Sequence, residues 1–412
     1  VEPETPAREG PNPGAVEVRA ERFVAGGLTL SRRPDGRIVL VEGALPGERV
    51  EVALQRRQGA DRGVVTAWLD RAPERVEPPC AHAREGCGGC DWMHLAEAAQ
   101  VPAKVEVVAD ALRRLGGWAD PVVRPGPALD PWGFRTTLRL AVVGGRAGLR
   151  RAASHEVVPL THCPIAHPLI DAMIRDGDFA DATTVTLRAG AGTGERMAVV
   201  TPGRTGVALP DDVRVIGVDE LARGTRAWIH EEVAGRRWRV SAASFFQSRP
   251  DGAAALVEVV RALAGPVLDR PTGVLVDAYA GVGLFAGSLL TDRPGWRAVC
   301  AESGRSAAAD ARVNLRDDAA TVVVTPVERF RAPRATLVVA DPPRAGLGRR
   351  AADALVGAEP ERIVLVSCDP AAAARDVALC TARGYAPVES VVVDLFPHTH
   401  HTETVTRLDR TD

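Results

Sequence analysis

Residues 274–286 constrain the fold more than any other stretch: Val274-Leu275-Val276-Asp277-Ala278-Tyr279-Ala280-Gly281-Val282-Gly283-Leu284-Phe285-Ala286. They read as a short apolar strand, a glycine turn and a helix start. A strand with a ligand crevice beyond its carboxyl end belongs to an open α/β sheet. Gly281 and Gly283 let the backbone come close to a bound molecule. Glu302 ends the next apolar strand, 296–301. An acidic side chain at that place accepts hydrogen bonds from both hydroxyls of a ribose. The turn lacks Gly-x-x-x-x-Gly-Lys-Ser/Thr, so a phosphate cradle is disfavoured. Asp277, beside the turn, suits an ammonium or a water and would repel a pyrophosphate. The expected ligand is a nucleoside without a pyrophosphate.

Strand and helix patterns alternate through the rest of this half. Apolar strands read at 297–301, 320–324, 336–340 and 362–366, helices at 251–264, 307–315, 351–356 and 371–382, and a closing strand pair at 390–394 and 401–408. That order predicts a doubly wound α/β domain. Two loops follow strands of the sheet. One is Asp341-Pro342-Pro343-Arg344-Ala345-Gly346, an anion and a cation on a rigid turn. The other is Ser367-Cys368-Asp369-Pro370. A thiol at a strand end, just before a helix start, is expected to have a lowered pKa and to act as a nucleophile. The tail Phe396-Pro397-His398-Thr399-His400-His401-Thr402-Glu403 brings Glu403 to the same sheet edge as a general base. In Phe245-Phe246-Gln247 both rings read as core, and Gln247 as an amide that needs backbone or a ligand as partner.

The first half is built differently. Residues 1–15 are rich in Pro and Glu and read as a frayed start. Short strands at 16–23, 37–42, 49–54 and 63–69, with glycine turns between them, predict a small β-barrel. Arg32, Arg33, Arg56, Arg57 and Arg62 would supply phosphate contacts there. Next come Cys80, Cys87 and Cys90 on a Gly-Gly turn, with Cys163 as the obvious fourth ligand. Four soft thiolates suit zinc or an iron–sulfur cluster alike. The seven cysteines are odd in number in a long chain, which argues against a disulfide scaffold. A helix at 94–115 and a linker at 121–131 follow, and then a hairpin over 138–150. Phe134, Arg135, Arg139 and Arg150 make an aromatic and basic patch suited to a nucleic-acid backbone. The formal net charge of −2 does not oppose this, because binding needs a local patch. Lys104 is the only lysine. A short helix at 164–174 and strands at 183–187, 197–201, 213–218, 225–231 and 238–240 predict a mixed middle region sharing a core with the cysteine loop. No run is long and apolar enough to span a membrane, and no secretory leader is visible, so a cytoplasmic protein is expected.

Taken together, these motifs resemble the TrmA/RumA-type family of S-adenosylmethionine-dependent RNA uridine-5-methyltransferases, over nearly the whole chain. The resemblance implies an α/β fold in three parts. These are an N-terminal TRAM-like, OB-like small β-barrel (12–72), a central mixed α+β domain with a cysteine-bound cluster (73–92 and 123–244), and a C-terminal Rossmann-like class I methyltransferase domain (93–122 and 245–412). It implies Cys368 as nucleophile, Glu403 as base, and Asp341 and Arg344 as the active-site loop. It places S-adenosylmethionine against Gln247, Asp277, Tyr279, Gly281, Gly283, Glu302 and Asp341, and a four-iron, four-sulfur cluster on Cys80, Cys87, Cys90 and Cys163. The expected partner of a monomeric enzyme is RNA, with 23S ribosomal RNA favoured over transfer RNA. A non-catalytic RNA-binding protein and an enzyme for a non-RNA pyrimidine are the other readings. Three positions depart from the family: six residues separate Cys80 from Cys87 instead of the usual five, Asp369 replaces Asn after the nucleophile, and Arg249 replaces an Asn.

Overall fold

The computed structural model describes residues 15–56 and 59–411. The Pro- and Glu-rich start and Arg57 lie outside them. Five strands close into a barrel in the order Ala15–Phe23, Thr29–Arg32, Ile38–Glu42, Asp61–Asp70, Arg49–Gln55. Closure leaves no unpaired edge. Val18, Ala20, Val39, Val41, Val50 and Val52 fill the interior by simple alternation. Sequence reading missed Thr29–Arg32. Its inward residues are Thr29 and Ser31, both fully buried, so no apolar alternation marks it. The Thr29 hydroxyl donates to the Val41 carbonyl at 3.2 Å. Arg32 and Arg33 pair with Glu21 and Asp61, so they are less free to contact phosphates than the sequence suggested.

A six-stranded sheet follows, in the order Val213–Gly217, Arg196–Thr201, Thr184–Ala189, Thr137–Val143, Arg146–Arg150, Val157–Pro159. The helix Pro168–Asp176 packs Ile170, Met173 and Ile174 into its core. The hairpin of Trp228–Val233 and Arg236–Ser241 forms a sheet of its own. Its Val233, Trp238 and Val240 join the core of the α/β half, not that of the middle sheet as expected. Asp310 explains the attachment. This fully buried carboxylate accepts from Arg239 Nε, Ser241 N and the Ser244 hydroxyl at 2.6–2.8 Å.

The large sheet has eight strands. Their order is Ala320–Val324, Trp296–Glu302, Gly273–Ala278, Leu337–Ala340, Arg362–Ser367, Glu403–Arg410, Tyr385–Val393, Val123–Pro125. The first five are parallel and Glu403–Arg410 runs against them. Parallel strands are covered on both faces, which is why they read as unbroken apolar runs. The expected linker at 121–131 is partly wrong: it supplies the edge strand Val123–Pro125, where a proline without an N–H is tolerated. The expected helix at 94–115 begins later, at Glu97, because Leu95 and Ala96 pair with the chain at Glu74 and Arg75. Among the described residues no helix is long and apolar enough to cross a membrane.

Candidate active site and thiol pocket

A cavity of about 800 Å³ opens beyond the carboxyl ends of the central strands. This is where an open α/β sheet places its ligand. Gln247, Tyr279, Gly281 and Glu302 line one part of it, and Asp341, Arg344, Cys368 and Glu403 line another. The glycine turn is strained on purpose. Tyr279 has φ +62° and Gly281 φ +55°, and a left-handed tyrosine persists only where its surroundings impose it. Among the described residues the Tyr279 hydroxyl has no hydrogen-bond partner. Glu302 accepts from Gly281 N at 2.9 Å and from Gly304 N at 2.5 Å, so its carboxylate is fixed at the cavity wall.

Two expected ligand contacts do not reach the cavity. Asp277 is wholly buried, with Oδ2 accepting from Ala286 N at 2.8 Å and Oδ1 without a partner among the described residues. It ties the strand to the helix Leu284–Leu290 from beneath, and burial pushes its pKa up to about 7. Gly283 faces Leu315, whose Cδ1 would lie 2.9 Å from an added Cβ. It serves helix packing at φ +94° and does not line the cavity.

Cys368 sits between the strand Arg362–Ser367 and the helix Pro370–Thr381, whose first turn Asp369 caps by accepting from Ala372 N at 2.8 Å. The expected lowering of its pKa is not found. Burial, with Glu403 and Asp341 nearby, pushes the thiol up to about 11, against the pull of its own backbone amide and Arg344. Arg344 Nε stands 4.0 Å from Asp369 Oδ2.

The tandem Phe245-Phe246 splits. Phe246 is core, but Phe245 is 68% exposed at the cavity rim. The basic patch splits too. Phe134 is buried beneath the Arg249 guanidinium, 4.4 Å from its ring centre, so it offers no stacking face. Arg135 turns inward, where its Nε donates to Thr137 O at 3.2 Å. Arg139 and Arg150 are exposed and border one groove with Gly88.

Cys80, Cys87, Cys90 and Cys163 are all free thiols and line a single small cavity with Met93, Leu149, Leu160 and Ile165. Burial first, then Cys163, Cys87 and Cys80, raise the pKa of Cys90. Among the described residues no three His, Cys, Asp or Glu side chains gather closely enough to hold a metal ion. A tetrahedral ion with sulfurs at 2.3 Å needs thiols about 3.8 Å apart. These stand around a space rather than on a point.

No protein-family profile matches the chain. An RNA methyltransferase of Streptomyces avermitilis, itself uncharacterised, is 37% identical over 95% of this chain and 98% of its own. The chain belongs to this RNA methyltransferase family. Another uncharacterised member, from Gloeobacter violaceus, is 31% identical over 96% of both chains. The methyltransferase also superimposes on the crystal structure of Pyrococcus abyssi tRNA (uracil-54, C5)-methyltransferase in complex with S-adenosyl-L-homocysteine. The TM-score is 0.70 with 25% identity, covering 95% of this chain and 99% of that one. The fold is thus of the TrmA/RumA type, as the motifs suggested.

The methyltransferase buries two carboxylates together. Glu403 is 3% exposed, and burial and Asp341 drive its pKa well up. Burial raises Asp341 to about 7. Like charges this close disfavour double ionisation. Unfolded, an Asp ionises near about 3.9. Between that value and about 7 the unfolded chain has lost a proton that the folded one keeps, so stability falls as pH rises and then levels off. Asparagine carries no such penalty. Asp341→Asn is therefore expected to stabilise the ligand-free protein, by roughly 1–4 kcal/mol at neutral pH. The gain grows from pH 5 to pH 7.5 in thermal unfolding, on the order of those pKa limits. An equal effect at both pH values would contradict the buried-pair account.

Proposed function

We propose that this enzyme methylates carbon 5 of a uridine in RNA, with S-adenosylmethionine as donor and a covalent Cys368–uridine intermediate. The observation that carries this is one cavity holding Cys368, Glu403, Asp341 and Arg344 beside Gln247, Tyr279 and Glu302. S-adenosylmethionine, when bound, supplies an activated methyl group and a positive sulfonium charge. Gln247, Tyr279, Gly281 and Glu302 would hold it, with the Glu302 carboxylate placed for a ribose diol.

The reacting base must leave its stack to enter the cavity, which favours a loop or bulge. The Cys368 thiolate adds to carbon 6, forming the C6–S bond and moving charge onto carbon 5 and the carbonyl. Arg344 offsets that charge and, with Asp341, orients the base. Once carbon 5 carries the new methyl, the Glu403 carboxylate removes its proton. The electron pair re-forms the C5–C6 double bond and expels Cys368. Phe245, exposed at the rim, and Arg139 and Arg150 are the surface groups for the RNA.

The motifs alone favoured ribosomal RNA. The likeness over the whole chain to an enzyme named for uracil-54 of transfer RNA supports transfer RNA instead. The deciding experiment uses transfer RNA and 23S ribosomal RNA transcripts labelled with tritium at uridine carbon 5. Release from transfer RNA alone supports the reading as stated, and release from ribosomal RNA alone restores the other substrate. No release from either, with the donor bound, overturns RNA methylation in favour of a binding protein or a non-RNA pyrimidine.

We further infer that Cys80, Cys87, Cys90 and Cys163 hold a four-iron, four-sulfur cluster. The donor set fits: four free thiols around one apolar space, with the Arg135 guanidinium inward beside Cys90 and Cys163 to offset thiolate charge. A cluster there would brace the loop, and no reaction step passes through it. Anaerobic reconstitution should give about four irons with matching labile sulfide per chain. Cys163→Ala should lose them, and uptake of a single zinc instead would refute the assignment.

A further inference from the structure

The Glu403 carboxylate stands on the first residue of the strand Glu403–Arg410, directly after an irregular segment. Between the strands Tyr385–Val393 and Glu403–Arg410 there is no helix or strand, yet both Phe396 and Glu403 line the cavity. His398 lies at φ +64°, a conformation that a non-glycine residue keeps only under external restraint. The restraint comes from outside the active site. His398 N donates to Gln100 Oε1 at 2.6 Å, and Trp92 N donates to His398 O at 2.9 Å. Lys104 Nζ donates to Phe396 O at 2.9 Å and to Asp394 Oδ1 at 2.6 Å.

The outermost tie runs through a carboxylate. Asp91 accepts His400 N at 3.1 Å and holds His400 Nδ1 at 2.5 Å. His400 is clamped from the other side by the barrel: a Cβ on Gly27 would lie 2.6 Å from His400 Cβ. The His400 ring packs at a tilt against His401, ring centres 4.2 Å apart, and His401 meets Phe396 edge-on at 6.0 Å. Glu403 follows two residues later. Cys368 follows a different strand, Arg362–Ser367, and none of the ties to Gln100, Lys104 or Asp91 is made through it.

We infer that the turn after Cys90 is the brace for the base, and that Asp91 is a positioning residue for Glu403. Asp91 and His400 have no place in the cavity lining and no direct part in the chemistry. Their loss should therefore spare addition by Cys368 and slow the removal of the carbon-5 proton. This rests on the function proposed above.

The test uses the full chain, with Asp91→Ala, His400→Ala and the conservative Asp91→Asn. Both alanine variants should release tritium from uridine-labelled RNA about 10- to 100-fold more slowly, the scale of a small misplacement of a catalytic group. They should accumulate a covalent protein–RNA adduct, visible on a denaturing gel, with KM for RNA unchanged. Asp91→Asn keeps an acceptor for His400 N and should recover most of the rate. Alanine variants that turn over like wild type would overturn the inference. So would variants that lose adduct and turnover together, because that pattern marks general disruption. Wild-type protein that forms no adduct even with 5-fluorouridine RNA would bring down the proposed function itself, and the brace with it.

Discussion

Cys368→Ala should release no measurable tritium from labelled RNA, a loss of roughly 10⁴-fold or more, as for other enzymes stripped of a covalent nucleophile. Among the described residues no other thiol lines the cavity. The other cysteines lie elsewhere: Cys300 and Cys380 in the core, and the remaining four at the thiol pocket. Donor binding should persist, because Gln247, Tyr279 and Glu302 occupy a separate stretch of the cavity wall. Calorimetric titration with S-adenosylmethionine separates the two effects. The rate of adduct formation in the wild type should climb with pH, since the ligand-free thiol ionises only at about 11. A positive charge brought beside it moves that climb to lower pH. A Cys368→Ala protein that still turned over would require a different nucleophile and would end the covalent scheme.

Glu403→Gln should stop the cycle later. Loss of a general base typically costs about 10²- to 10⁴-fold. The methyl is delivered once and the carbon-5 proton then stays, so the C6–S bond cannot break. A covalent adduct carrying label from methyl-tritiated donor should persist through denaturation, in roughly one-to-one ratio with protein by the logic of a single trapped turnover. Glutamine is close in size and removes one of two mutually repelling carboxyls, so folding should hold or improve. If Glu403→Gln produced free methylated RNA at the wild-type rate, the base would have to be another group. The same trap, partly sprung, is the expected behaviour of Asp91→Ala.

Much of the catalytic half was legible because its chemistry and its topology coincide. Ile363-Val364-Leu365-Val366 and Leu337-Val338-Val339-Ala340 are buried on both faces, so each strand announces itself as an apolar run and its end marks a functional loop. Cys368, Asp341 and Arg344 follow such ends, Glu403 opens the antiparallel strand beside them, and the fold brings all four to one cavity. What stayed hidden was direction. Asp277 and Gly283 belong to the right turn but face the helix packed behind it. Phe134 and Phe245 exchange their expected places, one under Arg249 and the other in solvent. Sequence spacing carries no information on such choices outside a regular element. The pKa of Cys368 was misjudged for a related reason: the helix start was visible in sequence, but not the carboxylates that share its space. The tie from Asp91 to His400 joins residues 309 positions apart, and nothing local marks either one.

Lys104 gives the brace an unusual chemical signature. It is the only lysine in the sequence, and its side chain is entirely buried against Asp394 and Phe396. Every other strong base in the sequence is an arginine, and guanidinium groups resist acylation at neutral pH. Reagents that acylate amines therefore find no side-chain amine to modify while the segment leading to Glu403 is closed. Any label arriving at position 104 records an opening of that segment, so a generic protein stain becomes a clock for one local motion.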